Sequence, residues 1–135
     1  MDNVILNKAE SLERCIKRIK EEYLGHEDEL ESNLTKQDAI VLNIERACQI
    51  SIDMALIMIK NKSLGLPQVT REVFDILEKN TVISKDMSTE LKQMVGFRNL
   101  AVHDYQKIDL NIVESIIQKH LVTLIEFSKI MVKQS

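Results

Sequence analysis

Between Val4 and Tyr23, apolar side chains recur at Ile5, Ala9, Leu12, Ile16, Ile19 and Tyr23. Spacings of three and four put all six on one face of a helix. The acidic stretch LGHEDELESN then breaks the period and reads as a connection, its first residues open to continuing the helix. A second helix starts near Thr35, where Thr35 and Asp38 resemble a capping box, with Asp a weaker partner than Glu or Gln. This helix is apolar on most sides from Ala39 to Ile59, the pattern of a central element, and Gly65 and Pro67 are expected to end it. A shorter helix follows, with Thr70 as its N-cap and Val73, Phe74, Ile76 and Leu77 apolar; Asn80 and Thr81 lead into a turn. Ser84 caps a fourth helix through Leu91, Met94 and Val95. Asp109 or its neighbour opens a last one through Leu110, Val113, Ile117, Leu121, Leu124 and Met131. No strand alternation or internal repeat competes. The pattern predicts an all-α fold, an antiparallel bundle of four long helices plus one short helix, as a single domain over residues 1–135.

Composition narrows this further. Three Gly and one Pro in 135 residues suit long helices with short connections and argue against glycine-rich nucleotide loops. With three Phe, two Tyr and no Trp, the core must be largely aliphatic. The opening MDNVILNKAE is charged too early for a signal peptide, and no apolar run has the length of a membrane span, so a cytoplasmic protein without membrane association is expected. Cys15 and Cys48 fall within helical apolar pattern and read as buried free thiols. A net charge of −3 argues against bulk electrostatic binding of nucleic acid. The short third helix carries Arg71 against Glu72, Asp75 and Glu78, a poor surface for a DNA groove.

Two sets of polar residues do not fit a plain core. On the second helix, Arg46, Gln49 and Asp53 share one face, flanked by Asn43. They read equally as a solvent strip or as the lining of a cleft or interface. On the fourth, GFRNLAVHDY places Arg98, Asn99, His103 and Tyr105 within eight residues. Asn99 and His103 are four apart, so the amide is placed to orient the imidazole. Arg98 and His103 are five apart and point about 140° away from each other on a regular helix. Either the helix distorts near His103, or the two residues meet across an interface between two copies. A histidine that moves protons and an arginine fork that holds a phosphate suit metal-free RNA cleavage. His26 and His120 lack ligand-spaced partners, so no metal site is assigned. Arg-x4-His alone is a weak signal, and a histidine at a helix end is also a common cap.

The context makes the signal specific. MVGFRNLAVHDY resembles the HEPN superfamily signature, Arg-x4–6-His with a polar residue after the arginine. More narrowly it resembles the Arg-x4-His-x-Tyr of HepT-like toxins, here Arg98, His103 and Tyr105 with Asn99 in the polar position. RCIKRI, QDAIVLNIERACQISIDMA and LGLP extend the likeness over almost the whole chain. The resemblance implies a helical homodimer with a composite cleft and a metal-independent endoribonuclease that needs no cofactor. It also implies a toxin neutralised when a minimal nucleotidyltransferase antitoxin transfers AMP to Tyr105. The basic cluster Arg14, Lys17, Arg18 and Lys20 would either extend that cleft toward RNA or be simply solvated. The alternative within the family is a non-catalytic nucleotide-binding or adaptor module.

Overall fold

The computed structural model describes residues 3–135. Among them there is no strand, and the helices are α1 (Asn3–Tyr23), α2 (Leu34–Asn61), α3 (Glu72–Lys79), α4 (Lys85–His103), α5 (Leu110–Ser115) and α6 (Leu121–Gln134). A π-helical turn, Ile116–His120, joins α5 to α6, so the two form one rod. The expected four long helices and one short one are therefore present.

Helix α2 is the hub, packed against α1, α3, α4 and α6. Its buried residues, among them Ile40, Ile44, Ala47, Met54 and Met58, surround most of the helix, as its sequence requires. The six apolar positions expected of α1 are its buried positions. Helix α1 runs antiparallel to α2, its start beside the end of α2 and its end beside the start. Lys8 reaches Asp53 at 3.2 Å and Lys36 reaches Glu22 at 3.2 Å, which fixes α1 against α2. Phe74 and Phe127 meet edge to face at 5.7 Å and anchor α3 to α6.

The π turn has a visible use. A wider turn re-aims side chains relative to regular α geometry. Gln118 Nε2 donates to the Tyr23 hydroxyl at 3.1 Å, and that hydroxyl donates to Glu114 at 3.2 Å. Two residues on, His120 Nδ1 meets Glu90 Oε1 of α4 at 2.8 Å. One turn thus ties the last rod to both α1 and α4.

The chain punctuates its helices differently from the expectation. Asn33, not Thr35, caps α2, its side chain accepting from Lys36 N; an Asx side chain one residue ahead of the helix reaches the orphan N–H that Thr35, inside the first turn, cannot. Helix α1 stops at Tyr23 rather than continuing, with Gly25 at φ +82°. At α3 the N-cap is Arg71, without a side-chain hydrogen bond, one residue after Thr70. Ser84 and Asp109 cap α4 and α5 as read.

Gly65 does not end α2. Ser63, at φ 52°, takes the left-handed position, with Ser63 N bonded to Lys60 O and Leu64 N to Ile59 O. Thr81, at φ 58°, closes α3 the same way, with bonds to Glu78 O and from Val82 N to Leu77 O. These are Schellman endings without glycine. A β-branched residue there is strained, so Thr81→Gly should raise unfolding free energy by about 1 kcal/mol. Urea denaturation checks this, and no change in midpoint would mean that the strain is relieved elsewhere.

Candidate active site

Helix α4 runs unbroken from Lys85 to His103. The helix therefore does not distort between Arg98 and His103, and their offset of about 140° persists. Arg98 turns toward α2 and is half-buried; His103, the last residue of α4, is exposed. One chain does not bring them together on one face.

Arg98 is held on two sides. Its Nη2 donates to Gln49 Oε1 at 2.7 Å and its Nη1 to Asn99 Oδ1 at 2.8 Å. Its Nε is buried without a hydrogen-bond partner among the described residues. Behind it, Gln49 Nε2 donates to Asp53 Oδ1 at 3.0 Å, and Asp53 Oδ2 pairs with Lys8 of α1 at 3.2 Å. Only one orientation of the Gln49 amide serves both neighbours, its oxygen toward the guanidinium and its NH2 toward the carboxylate. The Lys8–Asp53 pair is about one-third exposed on each side and adds little stability by itself. Its effect is to fix Asp53, which fixes the amide, which fixes Arg98.

Asn99 is therefore committed to Arg98, and the expected hydrogen bond from Asn99 to His103 is not formed. The side-chain oxygen follows the nearest positive charge, its own neighbour in sequence.

Tyr105 lies beyond the helix. Asp104, at φ −154° and ψ 63°, ends α4, and Tyr105–Lys107 form a 3-10 turn. The Tyr105 hydroxyl donates to Asp38 Oδ1 at 2.6 Å, although the residue remains 41% exposed. Partial burial, then the hydrogen bond and charge of Asp38, push the phenol well above its ordinary value of 10.0. A small pocket beside it, about 230 Å³, is lined by Gln37, Val41, Ile108 and Leu110.

The polar stripe on α2 divides. Asp38, Gln49 and Asp53 lie within about 60° of one another and together face the motif. Asn43 is buried at 7% exposure and donates to Ala39 O of its own helix at 2.8 Å. Arg46 is exposed and lies toward α1, where its charge partly offsets the upward push of burial on the Cys15 thiol. Neither Asn43 nor Arg46 touches the chain that holds Arg98. Cys48, fully buried beneath Arg98, is pushed up to about 12 by desolvation, and Cys15 is only half-buried. Arg14 and Arg18 are spent on Ser11, Glu21 and Glu22 of their own helix. Among the described residues no group of three or more His, Cys, Asp or Glu could hold a metal ion, and no helix is long and apolar enough to cross a membrane.

A helical bundle carrying this motif where one helix ends defines the HEPN class. The chain belongs to the family described as Ribonuclease HepT-like, which matches residues 12–131. It is 42% identical over 121 residues to the mRNA nuclease HepT of Shewanella oneidensis, covering 90% of each chain. Its fold matches that of a tri-AMPylated Shewanella oneidensis HEPN toxin in complex with MNT antitoxin, at TM-score 0.93 and 39% identity over 98% of this chain and 99% of that one. A toxin–antitoxin structure with AMP-PNP matches at TM-score 0.93 and 38% identity, over 98% and 99%. The resemblance read from the motif is borne out.

Proposed function

We propose that this protein is the toxin of a toxin–antitoxin pair, a metal-independent endoribonuclease that works as a homodimer and is silenced by AMP placed on Tyr105. The observation that carries the dimer is the divergence of Arg98 and His103 on an unbroken helix. A two-fold axis beside α4 lets Arg98 of one copy and His103 of the other address one phosphate. Leu42, Leu56 and Val102 are all at least 40% exposed and offer apolar surface for the second copy on α2 and α4.

In the proposed reaction one His103 takes the proton of the ribose 2′-hydroxyl as its oxygen attacks the adjacent phosphorus. The imidazolium so formed gives that proton to the departing 5′-oxygen, leaving a 2′,3′-cyclic phosphate. Arg98 steadies the charge on the phosphoryl oxygens. Gln49 and Asn99 each take one N–H of its fork, which leaves the second N–H of each Nη for the substrate. Asn99, Gln49, Asp53 and Lys8 position Arg98.

AMP on Tyr105 would bring a phosphodiester anion and an adenosine beside His103, two residues away, and close the cleft by bulk and charge. The tri-AMPylated relative bound to its antitoxin supports this reading, as does the relative with AMP-PNP. Cleavage of RNA should persist undiminished in EDTA, with cyclic-phosphate ends on the products. Activity that returns only with a divalent cation would sink the mechanism. Treatment with a nucleotidyltransferase antitoxin and ATP should add AMP masses to wild type and none to Tyr105→Phe. Equal mass gain on the Phe variant would place the modification elsewhere.

A further inference from the structure

We propose that Asp38 is the catalytic base for AMP transfer to Tyr105, so that the toxin supplies part of the machinery of its own inactivation. The proposal rests on Tyr105 being the AMP acceptor. The Tyr105 hydroxyl donates to Asp38 Oδ1 at 2.6 Å, a short charge-assisted bond already aligned along the path the proton must take. Among the described residues Asp38 forms no salt bridge, so its carboxylate is not neutralised by a cation. The nearby charges are otherwise engaged. Lys107 pairs with Asp104 at 3.3 Å, and Asp109 accepts from Asn111 N as the cap of α5.

Burial and Asp38 together hold the phenol in its neutral form. No preformed phenolate is present near neutral pH, and a neutral phenol is a poor nucleophile toward phosphorus. The proton has to leave as the new bond forms. In the step, Tyr105 Oη attacks the α-phosphorus of ATP, the bond from that phosphorus to the bridging oxygen breaks, pyrophosphate leaves with the electron pair, and the phenolic proton passes to Asp38. A carboxylate is a weaker base than a phenolate, so transfer is concerted with P–O bond formation rather than before it.

The product explains why the arrangement runs forward. Once esterified, Oη has no proton to donate, and a phosphodiester anion replaces it next to Asp38. The hydrogen bond that held Tyr105 against α2 is lost, and the modified side chain is driven off Asp38 by like charge as soon as that carboxylate gives up its proton. Tyr105 is thus released from α2 by the same event that marks it.

The test is the steady-state rate of AMP transfer from ATP to the full-length chain in complex with its nucleotidyltransferase antitoxin, read by intact mass. Asp38→Asn keeps an oxygen to accept the Tyr105 hydrogen bond but cannot take the proton. It should lower kcat on the order of 10²-fold and leave KM for ATP within about twofold. Asp38→Glu should recover part of the rate. Asp38→Ala should be no better than Asp38→Asn, and melting temperatures should stay close to wild type. Transfer at the wild-type rate in Asp38→Asn overturns the proposal, as does a loss confined to Asp38→Ala, which would mark Asp38 as holding Tyr105 only. No AMP on wild type, or undiminished AMP on Tyr105→Phe, would instead bring down the reading beneath it.

Discussion

A mixture of Arg98→Ala and His103→Ala proteins should cleave RNA when neither does so alone. Each substitution removes a group needed at the phosphate, so each homodimer should lose about 10²- to 10⁴-fold in kcat/KM. In a mixed dimer the Arg98→Ala copy still supplies His103, and the His103→Ala copy still supplies Arg98. One intact pair survives across the two-fold axis. After the copies exchange, roughly half of the dimers are mixed and each keeps one of two pairs, so recovery should approach about a quarter of wild type. The structure makes this outcome discriminating. Arg98 is bound to Gln49 inside the bundle and His103 stands exposed at the end of α4, so a single copy has no short route to join them. A mixture that stays at the level of the single variants would assign both residues to one chain.

Gln49→Leu should cost cleavage about 10²-fold without unfolding the protein, because it frees Arg98 to sample rotamers away from the phosphate. Leucine matches glutamine in size but offers nothing to the Arg98 Nη2 at 2.7 Å or to Asp53 Oδ1 at 3.0 Å. Leaving such groups unpaired costs about 1–3 kcal/mol of stability, which circular dichroism with urea can measure separately from activity. Arg46→Ala, on the same helix but outside the chain of contacts, should leave kcat/KM within about twofold. Full activity in Gln49→Leu would show that Asn99 alone suffices to aim Arg98.

The bundle could be read from the chain because its signal is local and repeated. Six buried positions of α1 all follow one period, and the breadth of apolar residues on α2 marks it as central. Helix ends were harder. Asn33 rather than Thr35 caps α2, and Ser63 and Thr81 adopt conformations that glycine usually takes, a choice set by tertiary packing rather than by residue type. The π turn left no mark in sequence, since its apolar positions remain close to helical spacing. At the site, Arg98, His103 and Tyr105 stood out through their motif, and Asp53 and Gln49 through their helical phase. Asn99 is visible in the motif but its partner is not: spacing proposes which residues share a face, and charge decides which of them bond. Lys8 and Asp38 could not be found without the fold. Nothing in sequence separates Lys8 from the other lysines of α1, and Asp38 looked like a capping residue until a turn 67 positions away delivered Tyr105 to it.

For the gene, this spreads the functional target well beyond ten codons. Lys8 of α1 braces Asp53, which braces Gln49, which braces Arg98. A selection for cells that survive expression of the toxin without its antitoxin should therefore return missense changes at the codons for Lys8, Gln49 and Asp53. Their proteins would be folded and abundant yet harmless, inherited lesions of the active site that leave its motif intact.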